Sequence, residues 1–159
     1  MAAFSIPDLS NAITGYPALS VDLKIVDLNV VSPGTTGAVN INEIWGFKVQ
    51  ITNNGDLNMS DVGVHIVAKG KTNNMAQVSL TTSGPWADDT HVNNLAVNAG
   101  ASVKTPEVYF KAPPNDTSGA IDLVQVHIAN WNADLTYILT GKAGHSDPPN
   151  DTYKAQVYP

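Results

Sequence analysis

Trp45-Gly46-Phe47-Lys48-Val49-Gln50-Ile51-Thr52, then Asn53-Asn54-Gly55-Asp56, then Val62-Gly63-Val64-His65-Ile66-Val67-Ala68-Lys69: this stretch decides the fold class. Trp45, Phe47, Val49 and Ile51 alternate with Gly46, Lys48, Gln50 and Thr52. Val62, Val64, Ile66 and Ala68 alternate in the same way with Gly63, His65 and Lys69. A period of two is the mark of a strand with one apolar face. Successive strand side chains point to opposite faces, so one face packs inward and the other meets solvent. The Asn-Asn-Gly-Asp segment between the runs supplies turn residues, and the pair reads as an antiparallel hairpin. A sheet with one apolar face needs a second layer to cover it, which predicts a β-sandwich.

Working outward, Val21, Leu23 and Ile25 change parity to Val26, Leu28 and Val30. Such a switch predicts either a β-bulge or a strand that crosses between sheets. On the other side, Gly70 to Asn74 reads as a turn, and Ala76, Val78 and Leu80 as a weaker strand. Thr82 to Asp89 reads as a loop carrying Trp86, and Leu95 to Ser102 as a connection through Asn98-Ala99-Gly100. Val103 to Phe110 forms a further strand interrupted by Pro106, which suits an edge or a bulge. Ile121 to Ala129, Leu135 to Thr140 and Thr152 to Tyr158 complete the set. With about seven to nine short strands and no amphipathic helix, the expected fold is all-β: an immunoglobulin-like antiparallel β-sandwich over residues 21–159. Residues 1–20 form an irregular arm broken by Pro7, Gly15 and Pro17. Its apolar members Phe4, Ile6, Leu9, Ile13, Tyr16 and Leu19 are expected to pack on the domain or on a neighbouring subunit.

Composition narrows the function classes. The 159 residues are enough for one domain with a substantial core. There is no cysteine, which removes disulfide, thiolate-metal and Cys-nucleophile chemistry. A net charge of −6 and a pI near 4.8 argue against nucleic acid. All eight basic residues are lysines, so no bidentate guanidinium fork exists for phosphate or guanine. The apolar runs are too short to insert into a bilayer. Met1-Ala2-Ala3-Phe4-Ser5 shows neither a basic nor a continuous hydrophobic signal region, so no signal peptide is visible in this numbering.

The Thr52-Asn53-Asn54-Gly55-Asp56 turn, Leu95 to Ser102 before a strand ending in Phe110-Lys111-Ala112-Pro113, and Asp147 to Asp151 leading into Thr152-Tyr153-Lys154-Ala155-Gln156-Val157 together resemble the bacterial CARDB-type immunoglobulin-like domain. The resemblance covers roughly residues 21–159 and implies a non-catalytic spacer, adhesion or accessory module of a surface protein. The acidic pair usual before the last strand stands here as Asp147-Pro148-Pro149-Asn150.

Site candidates are sparse. His65, His91, His127 and His145 show no His-x-x-x-His spacing, and His65 and His127 fall on polar strand faces; ordinary surface or hydrogen-bonded histidines are expected, with no metal and no cofactor. These two would meet if strands 62–68 and 121–129 were neighbours. There is no Gly-x-Ser-x-Gly elbow, and Glu43 and Glu107 lie far apart, so no catalytic residue is assigned and no enzyme is expected. Asp88-Asp89, Asn115-Asp116 and Asp147 with Asn150-Asp151 lack a calcium-loop pattern and read as turn chemistry. The Asn-x-Ser/Thr tripeptides at Asn58, Asn115 and Asn150 are expected to be incidental. Trp45 continues an inward set. Trp86 and Trp131 lie among amides and acids and are the candidate aromatics for sugar stacking or a protein contact, the alternative being rings folded back over the sheet end.

The sequence therefore predicts a structural or adhesive module, displayed on a bacterial surface or assembled into a particle such as a phage virion, as a decoration protein. A protein partner or self-assembly is expected through the N-terminal arm or an edge strand, at the cell surface, outside the cell or in a virion. The alternative is a carbohydrate-binding module that stacks a surface glycan on Trp86 and Trp131, with Tyr137 nearby.

Overall fold

A computed structural model of the chain describes residues 21–32, 37–133, 139–141 and 150–159. The N-terminal arm, Tyr137 and His145 lie outside the described residues. In chain order the strands are β1 (Val21–Ser32), β2 (Val39–Asn40), β3 (Ile44–Asn53), β4 (Met59–Ala68), β5 (Gly70–Lys71), β6 (Asn74–Met75) and β7 (Gln77–Ser79). They continue with β8 (Asp89–Val97), β9 (Ser102–Lys104), β10 (Val108–Lys111), β11 (Ile121–Ala133), β12 (Leu139–Gly141), β13 (Asn150–Ala155) and β14 (Val157–Tyr158). The fold is an all-β, immunoglobulin-like sandwich without a helix among the described residues.

One sheet has the order β1-β3-β10-β7, with β9 also on β3; the other has the order β12-β11-β4-β8, with β13 also on β11. β9 and β10 share one side of β3, and β12 and β13 share one side of β11. Each sheet is thus four positions wide, which is how the expected strand number is met by a larger set of shorter strands. A parallel pair, β2 with β14, and a small antiparallel pair, β5 with β6, complete the architecture.

The alternation read in the sequence is the core. Phe47, Val49 and Ile51 of one sheet and Val62, Val64 and Ile66 of the other are fully buried, together with Phe110, Leu123 and Val126. The connection between the first two runs differs from expectation. β3 pairs with β1, β9 and β10, while β4 pairs with β8 and β11, so residues 54–58 arch from one sheet to the other instead of closing a hairpin. An inward-facing alternation is the same for a hairpin and for an arch; only the pairing partners tell them apart.

The parity switch in β1 is a bulge. Register slips between Val26 and Asn29 opposite β3, at Asp27, whose φ is 54°, and the strand stays in one sheet. Pro106 is accommodated similarly: the segment splits into β9 and β10, and Thr105 bridges the gap. Its N–H donates to Val49 O at 2.9 Å, and its hydroxyl accepts from Val49 N at 3.0 Å. The side chain thus restores a ladder bond that the interrupted strand would lose. The two sheets meet along one side, where Ile25 N of β1 donates to Asp151 Oδ2 of β13 at 2.8 Å.

Candidate functional site

β8 was not legible in the sequence, and it brings the site together. β11, β4 and β8 lie side by side, and the register sets His127 opposite His65 and His65 opposite His91. Directly opposite residues of an antiparallel ladder share a face. Ile66 and Val64 point inward from β4, so the three histidines form a row across the outer face of this sheet. Asp89, two residues before His91 on the same strand, points to that face as well. The neighbouring row is Asn130, Gly63 and Asn93. A Cβ on Gly63 would strike Asn130 Oδ1 and lie 3.0 Å from Asn93 Oδ1, so glycine there makes room for the two amides.

The row is wired by hydrogen bonds. His65 Nε2 lies 2.8 Å from Asp89 Oδ2, and His65 Nδ1 lies 2.9 Å from His127 Nε2. An ionised carboxylate only accepts, so His65 Nε2 carries the proton toward Asp89. A neutral His65 ring then accepts at Nδ1 from His127 Nε2–H. The His91 ring stacks on His65 with centroids 4.3 Å apart and planes 4° apart, and His127 meets His65 edge-on at 4.7 Å. The row grades from a buried His127 through a half-buried His65 to an exposed His91. One ligand atom each from His65, Asp89 and His91 can be chosen so that all lie within 4.8 Å of one another.

The hydrogen bond from His65 holds the Asp89 carboxyl below its ordinary value of 3.8, aided by the nearby His65 and His91 rings and opposed by desolvation. A carboxyl lowered in the folded state stabilises the fold above its unfolded pKa, and this is lost as pH falls through the folded value. With its side chain 53% exposed, Asp89 contributes less than about 1 kcal/mol. Asp89→Asn is therefore expected to lower the urea midpoint slightly at neutral pH. The gap to the unaltered protein should close below the ordinary carboxylate range; a gap that opens on acidification would reverse the assigned sign.

No family model matches the chain, and no curated protein matches it. Among solved structures, the C-terminal domain of wzt is similar, with a TM-score of 0.38 and 16% identity over 91% of this chain and 80% of that chain. No residue role is transferred from it.

The other sequence candidates separate. Trp131, a candidate for an exposed stacking ring, is only 5% exposed and belongs to the core. The reason is a bulge: register slips on both sides of Asn130, which turns Trp131 and Ala133 inward after His127 has pointed outward. Trp86 is half-buried in the loop before β8, its ring lying against Gly84. Trp45 is core, as expected.

Glu43 is fully buried and accepts from Trp45 Nε1 at 2.7 Å and Asn40 N at 3.2 Å. Glu107 accepts from Asn29 Nδ2 at 3.1 Å across Gly46. Each carboxylate thus has its own hydrogen-bond set. Asp151 accepts from Ile25 N and Thr152 N, and Asn115 exchanges hydrogen bonds with Asn74. Asp151 differs from the turn reading: it lies in β13 and ties that strand to β1, while at Asn115 the Asn74 side chain holds the backbone of the loop.

The signal that the sequence reading passed over was Asp89-Thr90-His91. An Asp-x-His pair puts two donors on one face as soon as the segment is a strand.

Proposed function

We propose that the protein is a non-catalytic interaction module of CARDB-like immunoglobulin type, displayed on a surface or built into a larger particle, and that it engages a protein partner through a sheet edge. The observation that carries this reading is β1. It is a twelve-residue strand at the end of its sheet order, and residues 1–20 run directly into it. β13 meets this edge at Ile25, whose N–H donates to Asp151, and the remainder of so long an edge strand is suited to strand addition. Residues 1–20, which precede β1 in sequence, would add apolar side chains to such a contact. Among the described residues, the histidine row lies across the outer side of its sheet, and a concavity of about 400 Å³ lies beside Asp22, Lys24, Gln50 and Thr52 of the other sheet. Self-association multiplies a modest contact through repetition.

The glycan alternative has lost one of its two rings to the core, since Trp131 packs inward. The test is the solution mass by light scattering over a range of concentrations, for the full chain and for a chain lacking residues 1–20. Assembly of the full chain that dissolves on truncation, with the far-UV spectrum preserved, is the expected result. Equal masses for the two chains would remove the arm from the assembly.

A further inference from the structure

We propose that His65, Asp89 and His91 form a three-ligand site for a divalent transition-metal ion of the zinc type, with His127 as the residue that orients His65. This goes beyond the interaction role and does not depend on it.

The argument begins with the donor set. Two imidazoles and one carboxylate suit a borderline ion such as Zn2+, whereas calcium and magnesium want a shell of oxygens. Geometry comes next. Metal–nitrogen and metal–oxygen bonds of about 2.1 Å in a tetrahedral site put neighbouring donor atoms about 3.4 Å apart. The donors of His65, Asp89 and His91 already lie within 4.8 Å of one another, and His65 Nε2 is 2.8 Å from Asp89 Oδ2. An ion seated between them would replace the proton shared by that pair, and the exposed His91 side chain needs a small rotation to complete the triangle. The backbone need not move, because β4 and β8 are registered neighbours with His65 opposite His91.

The third observation is the support behind the site. A ring that binds metal through Nε2 in its neutral form keeps its proton on Nδ1, which then needs an acceptor. His127 Nε2 stands 2.9 Å from that atom, on a side chain only 3% exposed and therefore held in place. Metal-binding histidines characteristically donate their second N–H to such a partner, which fixes ring and tautomer. Binding would also shift the tautomers: the shared hydrogen passes to His65 Nδ1, and the proton displaced from His65 Nε2 is matched by one taken up at His127 Nδ1, so that both rings stay neutral and His65 donates to His127. The row is thus a ligand pair, a carboxylate and a fixed orienting ring.

The experiment is titration of the full chain with ZnCl2 after chelator treatment, followed by calorimetry and by metal content after gel filtration. One zinc per chain is expected. His91→Ala and Asp89→Asn, both changes at exposed positions, should remove it while the far-UV spectrum stays the same. His127→Gln is expected to keep the 1:1 stoichiometry and weaken affinity by about 10- to 100-fold, as outer-shell changes do. Saturable binding that survives His91→Ala and Asp89→Asn unchanged, or no saturable binding by the folded chain, overturns the proposal. If His127→Gln leaves affinity unchanged, the orienting role of His127 falls.

Discussion

Phe110→Ala is expected to lower folding stability by about 3–5 kcal/mol, the range for deleting a large buried ring. Phe110 is fully buried on β10 and sits where the aromatic side chains of both sheets converge. Its ring is 6.4 Å from Trp45 and 6.2 Å from Phe47, both on β3, and 5.9 Å from Tyr153 on β13 of the opposite sheet. Removing it would unpack three neighbours at once. β10 is held between β3 and β7 by ladder hydrogen bonds, so the backbone has little freedom to close the space. The cost then includes both the lost transfer energy and the cavity. For a domain whose whole margin is about 5–15 kcal/mol, that is a large share. A thermal midpoint lower by on the order of 10 °C should accompany it, since about 1 kcal/mol moves a chain of this size by roughly 2–4 °C. Urea unfolding followed by tryptophan fluorescence reads the effect directly. A loss below about 1 kcal/mol would mean that the sheets do not close around this ring as described.

What the sequence revealed and what it hid have separate physical causes. Phe47 to Ile51 and Val62 to Ile66 were readable because both runs alternate without interruption and their inward faces are wholly apolar. β8 was unreadable for the opposite reasons. It lies at the end of its sheet order, most of its residues are exposed or half-buried, and Asn94 has φ of 62°, which breaks the period. Without β8, His91 had no place opposite His65, and Asp89 looked like part of a loop. The meeting of His65 with His127 was foreseeable as a condition, that their strands be neighbours, but pairing between distant segments leaves no mark on local periodicity. The same limit made an arch read as a hairpin, and the bulge around Asn130, invisible in local periodicity, is what decides that Trp131 packs inward.

Of the side chains that hold that arch, Asn53 is the buried one, while the exposed Asn58 accepts from Ala99 N at 2.9 Å and the exposed Asn54 donates to Asp22 at 3.0 Å. Asn53→Ala is expected to destabilise the fold by about 3 kcal/mol, because it leaves one buried and two part-buried backbone groups without that partner. Asn53 ends β3 and is fully buried. Its Nδ2 donates to Leu57 O at 2.7 Å and to Val97 O at 3.0 Å, and its Oδ1 accepts from Gly55 N at 3.0 Å. Its backbone N–H donates to Ala101 O, and its carbonyl accepts from Gly100 N. One residue thereby fastens the 54–58 arch to the connection between β8 and β9, where the chain passes from one sheet to the other. Asn53→Asp separates the hydrogen-bonding role from simple loss of volume. The carboxylate keeps the acceptor for Gly55 N but faces the carbonyls of Leu57 and Val97 with no hydrogen to donate, and it buries a charge. At neutral pH this variant should be less stable than Asn53→Ala. Its introduced carboxyl should titrate above the ordinary value of about 3.9 in the folded state, so the deficit should shrink as pH falls and the group gains a proton to donate. Urea midpoints of both variants at neutral and mildly acidic pH make the comparison. If Asn53→Asp matches Asn53→Ala at every pH, the amide is not the clamp, and the arch must be held by the Asn53 backbone contacts to Gly100 and Ala101 together with the Asn58–Ala99 hydrogen bond.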